Sequence, residues 1–274
     1  MLMEGGLLKE FNLIMKKENE NIAIIFGLGL IGQIAIEALT ELNFKIIGVD
    51  ISEDNGIFDK YSNLVEYKLC DATKEDEVMG TLNQIFSDHK SPNLLINALG
   101  LDSKVGNHED GFENLSNQDG TSFNNALIQG ISSYFFTSKF FVINHKKSKT
   151  MGKILNIASD LSVIAPDHRL YNENDVISKF KPAHYSAVKH SVIGLTKYFS
   201  ATFGPDIIAN SLSPSGIYQE NMSEDFINKL SGLTPLDRVM TKEELIEPIK
   251  FLCNPKNTFT TGHNLIVDGG RSVI

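Results

Sequence analysis

The chain has 274 residues, 42% hydrophobic and 22% charged, with a formal net charge of -9 and a pI near 5.3. That acidity argues against nucleic acid or an anionic membrane surface as a partner bound through the overall field, and leaves room for a local basic pocket that takes an anion. Two distant cysteines, Cys70 and Cys253, and seven histidines without ligand spacing assign no metal, and such sparse cysteine suits a reducing cytosol. Residues 1–20 read as a non-secretory extension, either a partly ordered tail or a short amphipathic helix with Leu7, Leu8, Phe11, Ile14 and Met15 on one side.

The next stretch, "NIAIIFGLGLIGQIAIEALTELNFKIIGVD", starts almost wholly apolar. Gln33, Glu37 and Glu41 interrupt it before the roughly 20 residues a membrane span needs. Its period changes instead. "IAIIF" has the β-branched character of a strand buried on both faces. "QIAIEALTEL" places Ile34, Ala38 and Leu42 on one helical face. Between them Gly27, Gly29 and Gly32 form GxGxxG, filled out by Leu28, Leu30 and Ile31. A glycine turn of this kind lets backbone N–H groups approach a pyrophosphate, and the helix behind it presents its positive end to the same anion. "FKIIGVD" then ends a second strand at Asp50, 18 residues past Gly32. An acid there can accept from the adenosine ribose hydroxyls and would repel a 2′-phosphate, so NAD is favoured over NADP.

Strand and helix continue to alternate. "LVEYKL" is strand-like and "CDATKEDEVMGTLNQIFSDH" helical. "NLLINALG" is a fourth strand, "SYFFTSKFFVINHKK" a helix and "GKILNIAS" a fifth strand. "KPAHYSAVKHSVIGLTKYFSATFGP" is a long helix opened by Pro182 and stopped by Gly204-Pro205. "IIANSLSP" is a sixth strand. "TKEELIEPIKFLCNP" is a helix with a Thr241–Glu244 capping box and Pro248 perturbing its first turns. "HNLIVDGG" is a seventh strand. The expected fold is α/β, a Rossmann-like doubly wound parallel sheet of about seven strands with helices on both faces. Residues 21–274 form a single domain behind the 1–20 extension. Ligands on such sheets sit at the carboxyl ends of the strands.

In the long helix, Tyr185 and Lys189 stand four apart and share a face. A lysine beside a phenol favours the phenolate and lowers its pKa, which suits acid/base work near neutral pH. The alternative is an ordinary surface pair, although Tyr185 is the only tyrosine of seven with lysine four residues on.

Over residues 21–271 the chain resembles the short-chain dehydrogenase/reductase family. The resemblance is carried by the glycine turn, "CDAT", "NALG", Ser159 ending the fifth strand, "YSAVK", "SPSG" and "TGHNLIVDGG". It implies Tyr185 as general acid/base, Lys189 as its pKa partner and ligand of the nicotinamide ribose, and Ser159 as a hydrogen-bond partner of the reacting oxygen. Cofactor contacts are implied at Gly27, Gly29, Leu30, Ile31, Gly32, Asp50, Asp71, Ala72, Asn97, Ala98, Tyr185, Lys189, Pro214, Gly216 and Ile217. Asp71 would meet the adenine amino group and Asn97 the adenosine ribose. The structural alternatives are a strand-end serine for Ser159, a helix N-cap at Asp71 in competition with Thr73, and a turn asparagine at Asn97. The family also implies a homodimer or homotetramer built on the fourth and catalytic helices.

The chain departs from the family pattern in several places. Phe26 replaces the usual threonine, the glycine loop is one residue shorter, and "NALG" replaces "NNAG". Gly130 stands where the family often carries a proton-relay asparagine. Family members usually place about a dozen residues between the serine and the tyrosine, whereas here Tyr185 follows Ser159 by 26. The insertion borders the expected substrate site and carries His168, Arg169, Lys179 and Lys181, of which Arg169 could grip a phosphate or carboxylate. Alternatively these are solvated loop charges balanced by Asp167, Glu173 and Asp175. "GIYQENMSEDFINKLSGLTPLDR" has the length and polarity of a lid. "APDHRLY", "YSAVKHSVIGLTKY" and "LTPLDR" are similar to one branch, the flagellin-modification oxidoreductases linked to legionaminic-acid-type sugars. That similarity implies a small-molecule substrate, an anionic sugar derivative such as a sugar phosphate or nucleotide sugar. Two other functions stay open: a 3-oxoacyl-thioester reductase, and a homologue that binds cofactor without turnover.

Overall fold

A computed structural model describes residues 20–52, 56, 60–100, 119–172 and 180–274. The expectations placed on residues 1–19 and on Glu173, Asp175 and Lys179 lie outside the described residues. In chain order the elements are β1 (Ile22–Phe26), α1 (Leu30–Glu41), β2 (Lys45–Asp50), β3 (Val65–Leu69), α2 (Glu75–Asp88) and β4 (Leu94–Asn97). Then come α3 (Gly120–Leu127), α4 (Ser133–Ser148), β5 (Gly152–Ile157), α5 (Ala183–Phe203) and β6 (Ile207–Pro214). Helix α6 (Glu224–Ser231), α7 (Ile246–Cys253) and β7 (Asn264–Val267) complete the fold. The seven strands form one parallel sheet in the order β3-β2-β1-β4-β5-β6-β7.

The apolar runs divide between the two faces with the period of the pleat. Ala23, Ile25, Ile46, Leu94, Ile96, Leu155 and Leu212 pack under α1 and α7. Ile22, Ile24, Phe26, Val49, Leu95 and Ile154 pack under α2, α4 and α5. Chain order reverses between β1 and β4, which opens the crevice at their carboxyl ends.

Three local features differ from the sequence expectation. First, helix begins well before Ser133. Helix α3 is capped by Asp119, whose carboxylate accepts from the Thr121 and Ser122 N–H groups, and it joins α4 through a π-helical turn at Ile128–Ser132. The continuous run Gly120–Ser148 is long and apolar enough to cross a bilayer by composition. Its Tyr134, Thr137 and Phe141 are nonetheless buried within the protein. Second, the Thr241–Glu244 box is half formed: the Glu244 carboxylate accepts from the Thr241 N–H, and Arg238 holds it in a two-pronged ion pair. Glu243–Leu245 form a 3₁₀ turn, so Pro248 falls in the first turn of α7, where its missing N–H costs nothing. Third, the expected lid contains α6, whose Phe226 and Leu230 pack with Leu170 and Val239 into a small separate core. Lys229 Nζ also donates to the Asn172 carbonyl at 2.8 Å, joining the insertion to the lid.

Candidate active site

The three glycines of the β1–α1 turn do three different jobs. Gly27 has φ +89°, and a Cβ on it would lie 2.6 Å from the Ala98 carbonyl oxygen of the neighbouring strand end. A Cβ on Gly32 would lie 2.1 Å from the Gly27 carbonyl oxygen, so only glycine lets α1 approach the turn. Gly29 has nothing within 4 Å of its Cβ position. It is the N-cap of α1, no side chain caps that end, and the first turn holds no acid. Exposed, uncapped N–H groups at the positive end of a helix fit a pyrophosphate. Leu28 is buried, whereas Leu30 is exposed beside the open glycine.

Asp50 closes the other side. Its Oδ2 accepts from the Leu28 N–H at 2.7 Å and its Oδ1 from the Ser52 N–H at 3.1 Å. The carboxylate is thereby fixed across the glycine turn, with acceptor capacity left for ribose hydroxyls. Asp71 accepts from the Thr73 N–H and hydroxyl at 3.0 and 2.6 Å. The Thr73 hydroxyl bond, ahead of the other contacts, holds the Asp71 carboxyl below the usual carboxylate range. Neither residue caps α2, because Lys74 occupies the N-cap position.

The acid/base candidates meet at the carboxyl ends of β4 and β5. Tyr185 and Lys189 lie on one face of α5, with the ammonium 5.9 Å from the ring centroid. Lys189 Nζ donates to the Ile157 carbonyl at 3.3 Å. A Cβ on Gly100 would stand 3.5 Å from that nitrogen. Ser159 follows β5 in extended conformation and caps the 3₁₀ turn Asp160–Ser162, accepting from the Leu161 N–H at 3.2 Å. Its hydroxyl lies 3.0 Å from Asp160 Oδ1, to which it donates. Asp160 Oδ2 in turn pairs with Arg271 Nη1 at 2.8 Å, and both side chains are buried. Ser162 and Ser213 hydroxyls meet at 2.9 Å and join this corner to β6.

The structure redirects several expected residues. The Asn97 side chain is fully buried and faces away from a surface ligand. It donates to Asn156 Oδ1 at 2.8 Å and Ser138 Oγ at 3.2 Å, and Asn156 continues the chain to Thr196. The Asn97 side chain therefore ties β4 and β5 to α4 and α5, which leaves its backbone at the end of β4 as the part that can flank the ribose. The Ala72 side chain packs in the core beneath α2. Ala98, by contrast, lines the crevice against Gly27. Pro214 ends β6, and after it Gly216 passes under Leu230 of α6, where a Cβ would lie 2.8 Å from Cδ2. Ile217 is buried and pairs with Met240. Arg169 is engaged by Asp167 through contacts of 2.6 to 3.2 Å, so its fork is directed at a neighbouring acid. His168 packs edge-on against Phe180 at 5.0 Å and accepts the Lys181 N–H on Nδ1. It buckles the insertion to the start of α5.

Gly130 explains the lost asparagine. A Cβ there would lie 2.4 Å from Val188 Cγ1, because the π turn presses directly on the catalytic helix. One turn on, the Tyr134 hydroxyl sits 2.6 Å from the Leu99 carbonyl and 2.8 Å from the Ile157 carbonyl that Lys189 also uses. Burial pushes the Tyr134 phenol up, so it stays neutral. Restoring the asparagine should fail: Gly130→Asn is expected to cost about 1–3 kcal/mol by overpacking. Adding Val188→Ala should recover most of it in denaturant titrations, and an unaltered midpoint for Gly130→Asn would contradict this contact.

A family model described as Enoyl-(Acyl carrier protein) reductase matches residues 30–272. The chain belongs to the short-chain dehydrogenase/reductase family. It is similar to an uncharacterized oxidoreductase of Schizosaccharomyces pombe, 26% identical over 263 residues, covering 93% of this chain and 92% of that protein. The post-translational flagellin modification protein A of Campylobacter coli is 23% identical over 264 residues, covering 92% and 98%. Among solved structures, a short chain dehydrogenase from Leptospira borgpetersenii with bound NAD+ is 27% identical, with a TM-score of 0.80 and 93% of each chain covered. As a member of the family, the chain is an NAD(P)-dependent oxidoreductase. The uncapped α1 turn would hold the cofactor pyrophosphate and Asp50 the adenosine ribose. The nicotinamide, when bound, supplies or accepts hydride. This chain's own residues have to orient the substrate oxygen and move its proton.

Proposed function

We propose that the chain interconverts a secondary alcohol and a ketone on an anionic sugar derivative, a sugar phosphate or nucleotide sugar, with NAD preferred to NADP. The observation that carries the reading is the bond from Lys189 Nζ to the Ile157 carbonyl, which brings the Tyr185–Lys189 face of α5 to the end of β5 that Ser159 follows. Tyr185 exchanges the proton with the substrate oxygen, Lys189 stabilises its phenolate, and Ser159 hydrogen-bonds the same oxygen. Asp50 supports NAD, because a 2′-phosphate would meet a carboxylate already fixed beside the Leu28 N–H. The sugar-derivative class is supported by the similarity to the Campylobacter coli protein and by the polar insertion that His168 joins to the start of α5.

Self-association through α3, α4 and α5 belongs to the same reading. Phe123, Ile128, Phe135 and Tyr198 are exposed on these helices, and apolar surface of this kind suits a second copy. The free, buried thiols Cys70 and Cys253 suit a reducing cytosol. Reduction of a 3-oxoacyl thioester is a second reading, favoured by the description of the matched family model. Such reductases usually take NADPH, which Asp50 opposes.

Fluorescence titration with NADH and NADPH separates these readings. Wild type should bind NADH at least ~10-fold more tightly, about 1.4 kcal/mol for one close like-charge contact. Asp50→Ala should bring the two together. Tighter NADPH binding by wild type would overturn the cofactor preference and raise the acyl-thioester reading.

A further inference from the structure

We propose that Lys181 is a second lysine acting on Tyr185, a positioning residue that favours the phenolate from four residues before it in sequence, as Lys189 does from four after. The inference rests on Tyr185 being the acid/base, as proposed above. Lys181 stands four residues before Tyr185, as Lys189 stands four after. It lies outside α5, on the extended lead into the helix at Pro182. Its Nζ is 4.1 Å from the Tyr185 ring centroid, closer than the 5.9 Å of Lys189.

Lys181 is only 7% exposed. A buried ammonium loses hydration and gains from nearby negative charge. A phenol ring face offers a quadrupole, whereas a phenolate offers a full charge, so the same contact strengthens when Tyr185 ionises. The lysine is also fixed in place. Its backbone N–H donates to His168 Nδ1 at 3.2 Å, and His168 is braced by Phe180.

Among the described residues the other titratable groups on this corner oppose neither effect. His184, on the first turn of α5, is pushed down by burial and then by the charge of Lys181, and so remains neutral. Asp160, at the β5 end, is tied to Arg271 at 2.8 Å. Lys189 adds positive charge from the helix. Tyr185 is thus flanked by two ammonium groups, one from the helix and one from the insertion that distinguishes this chain.

The test needs no substrate. Tyrosinate absorbance near 295 nm would be followed against pH on the full chain, without and with NAD+, in wild type, Tyr185→Phe, Lys181→Met and Lys181→Arg. One tyrosine of the seven should ionise below the rest in wild type and vanish in Tyr185→Phe. Lys181→Met should raise that midpoint by about one pH unit, and Lys181→Arg should restore it, which a purely structural role would not do. Lys181→Gln carries the same comparison if the Met variant folds poorly. A low step that is lost in Tyr185→Phe yet unmoved in Lys181→Met would overturn the role of Lys181 and leave the acid/base reading standing. Absence of any low step in wild type would overturn both.

Discussion

Tyr185→Phe is expected to lower kcat by about 10³-fold, within the range general acid/base groups contribute, while leaving the NADH dissociation constant within about 2-fold of wild type. The ring remains in both proteins, so packing on α5 is preserved and only the proton donor is lost. The Ile157 carbonyl still holds Lys189, so the cofactor side stays assembled. Steady-state rates and fluorescence titration on the same preparations check both halves. Activity retained by the variant would remove Tyr185 from the chemistry. Equal loss of binding and rate would point to a collapsed site instead.

Arg271→Met is expected to be the most destabilising single change on this corner, by about 3–5 kcal/mol, because it leaves the buried Asp160 carboxylate without its cation. For a chain of this size that is a fall in Tm on the order of 10 °C. The damage should reach catalysis, since Asp160 Oδ1 also receives the Ser159 hydroxyl and the Leu161 N–H. An unbalanced carboxylate would pull harder on the Ser159 proton and compete with the substrate oxygen. Asp160→Asn combined with Arg271→Met should cost clearly less than the two single changes added together, as expected for groups in direct contact. Additive losses, read by thermal melts of the four proteins, would mean the two side chains do not interact in solution.

Much of this architecture was legible in the residues. Short β-branched runs and glycine turns located the seven strands. GxGxxG followed by Asp50 located the cofactor corner, because each glycine has a distinct steric reason to be there. The i,i+4 rule placed Tyr185 and Lys189 on one face of α5. Asn97 could have been placed from the same physics: in "LLIN", Leu95 and Asn97 share a face, and Asn97 pairs in register with Asn156 of β5. Strand parity therefore sends its amide under α4 and α5, away from the crevice.

What escaped the sequence depends on tertiary contact. Asp160 and Arg271 are 111 positions apart, and no local period links them. The π turn at Ile128–Ser132 passes Val188 at a distance only Gly130 allows. Its apolar residues look like any helix start. Lys181 reads as a loop charge until the insertion folds back on His168 and Phe180 and brings it over the Tyr185 ring. Arg169 is the reverse case, an apparent anion grip that a bond to Asp167, two residues away, already occupies.

The central claim is hydride exchange between NAD and an anionic sugar derivative, and absorbance at 340 nm tests it most directly. The purified chain would be offered NAD+ or NADP+ with sugar phosphates and nucleotide sugars, and NADH or NADPH with neutral ketones and 3-oxoacyl thioesters. The predicted result is turnover with NAD on an anionic sugar, lost in Tyr185→Phe. Turnover of a 3-oxoacyl thioester with NADPH, or NADH binding without turnover of any compound in the panel, would contradict it.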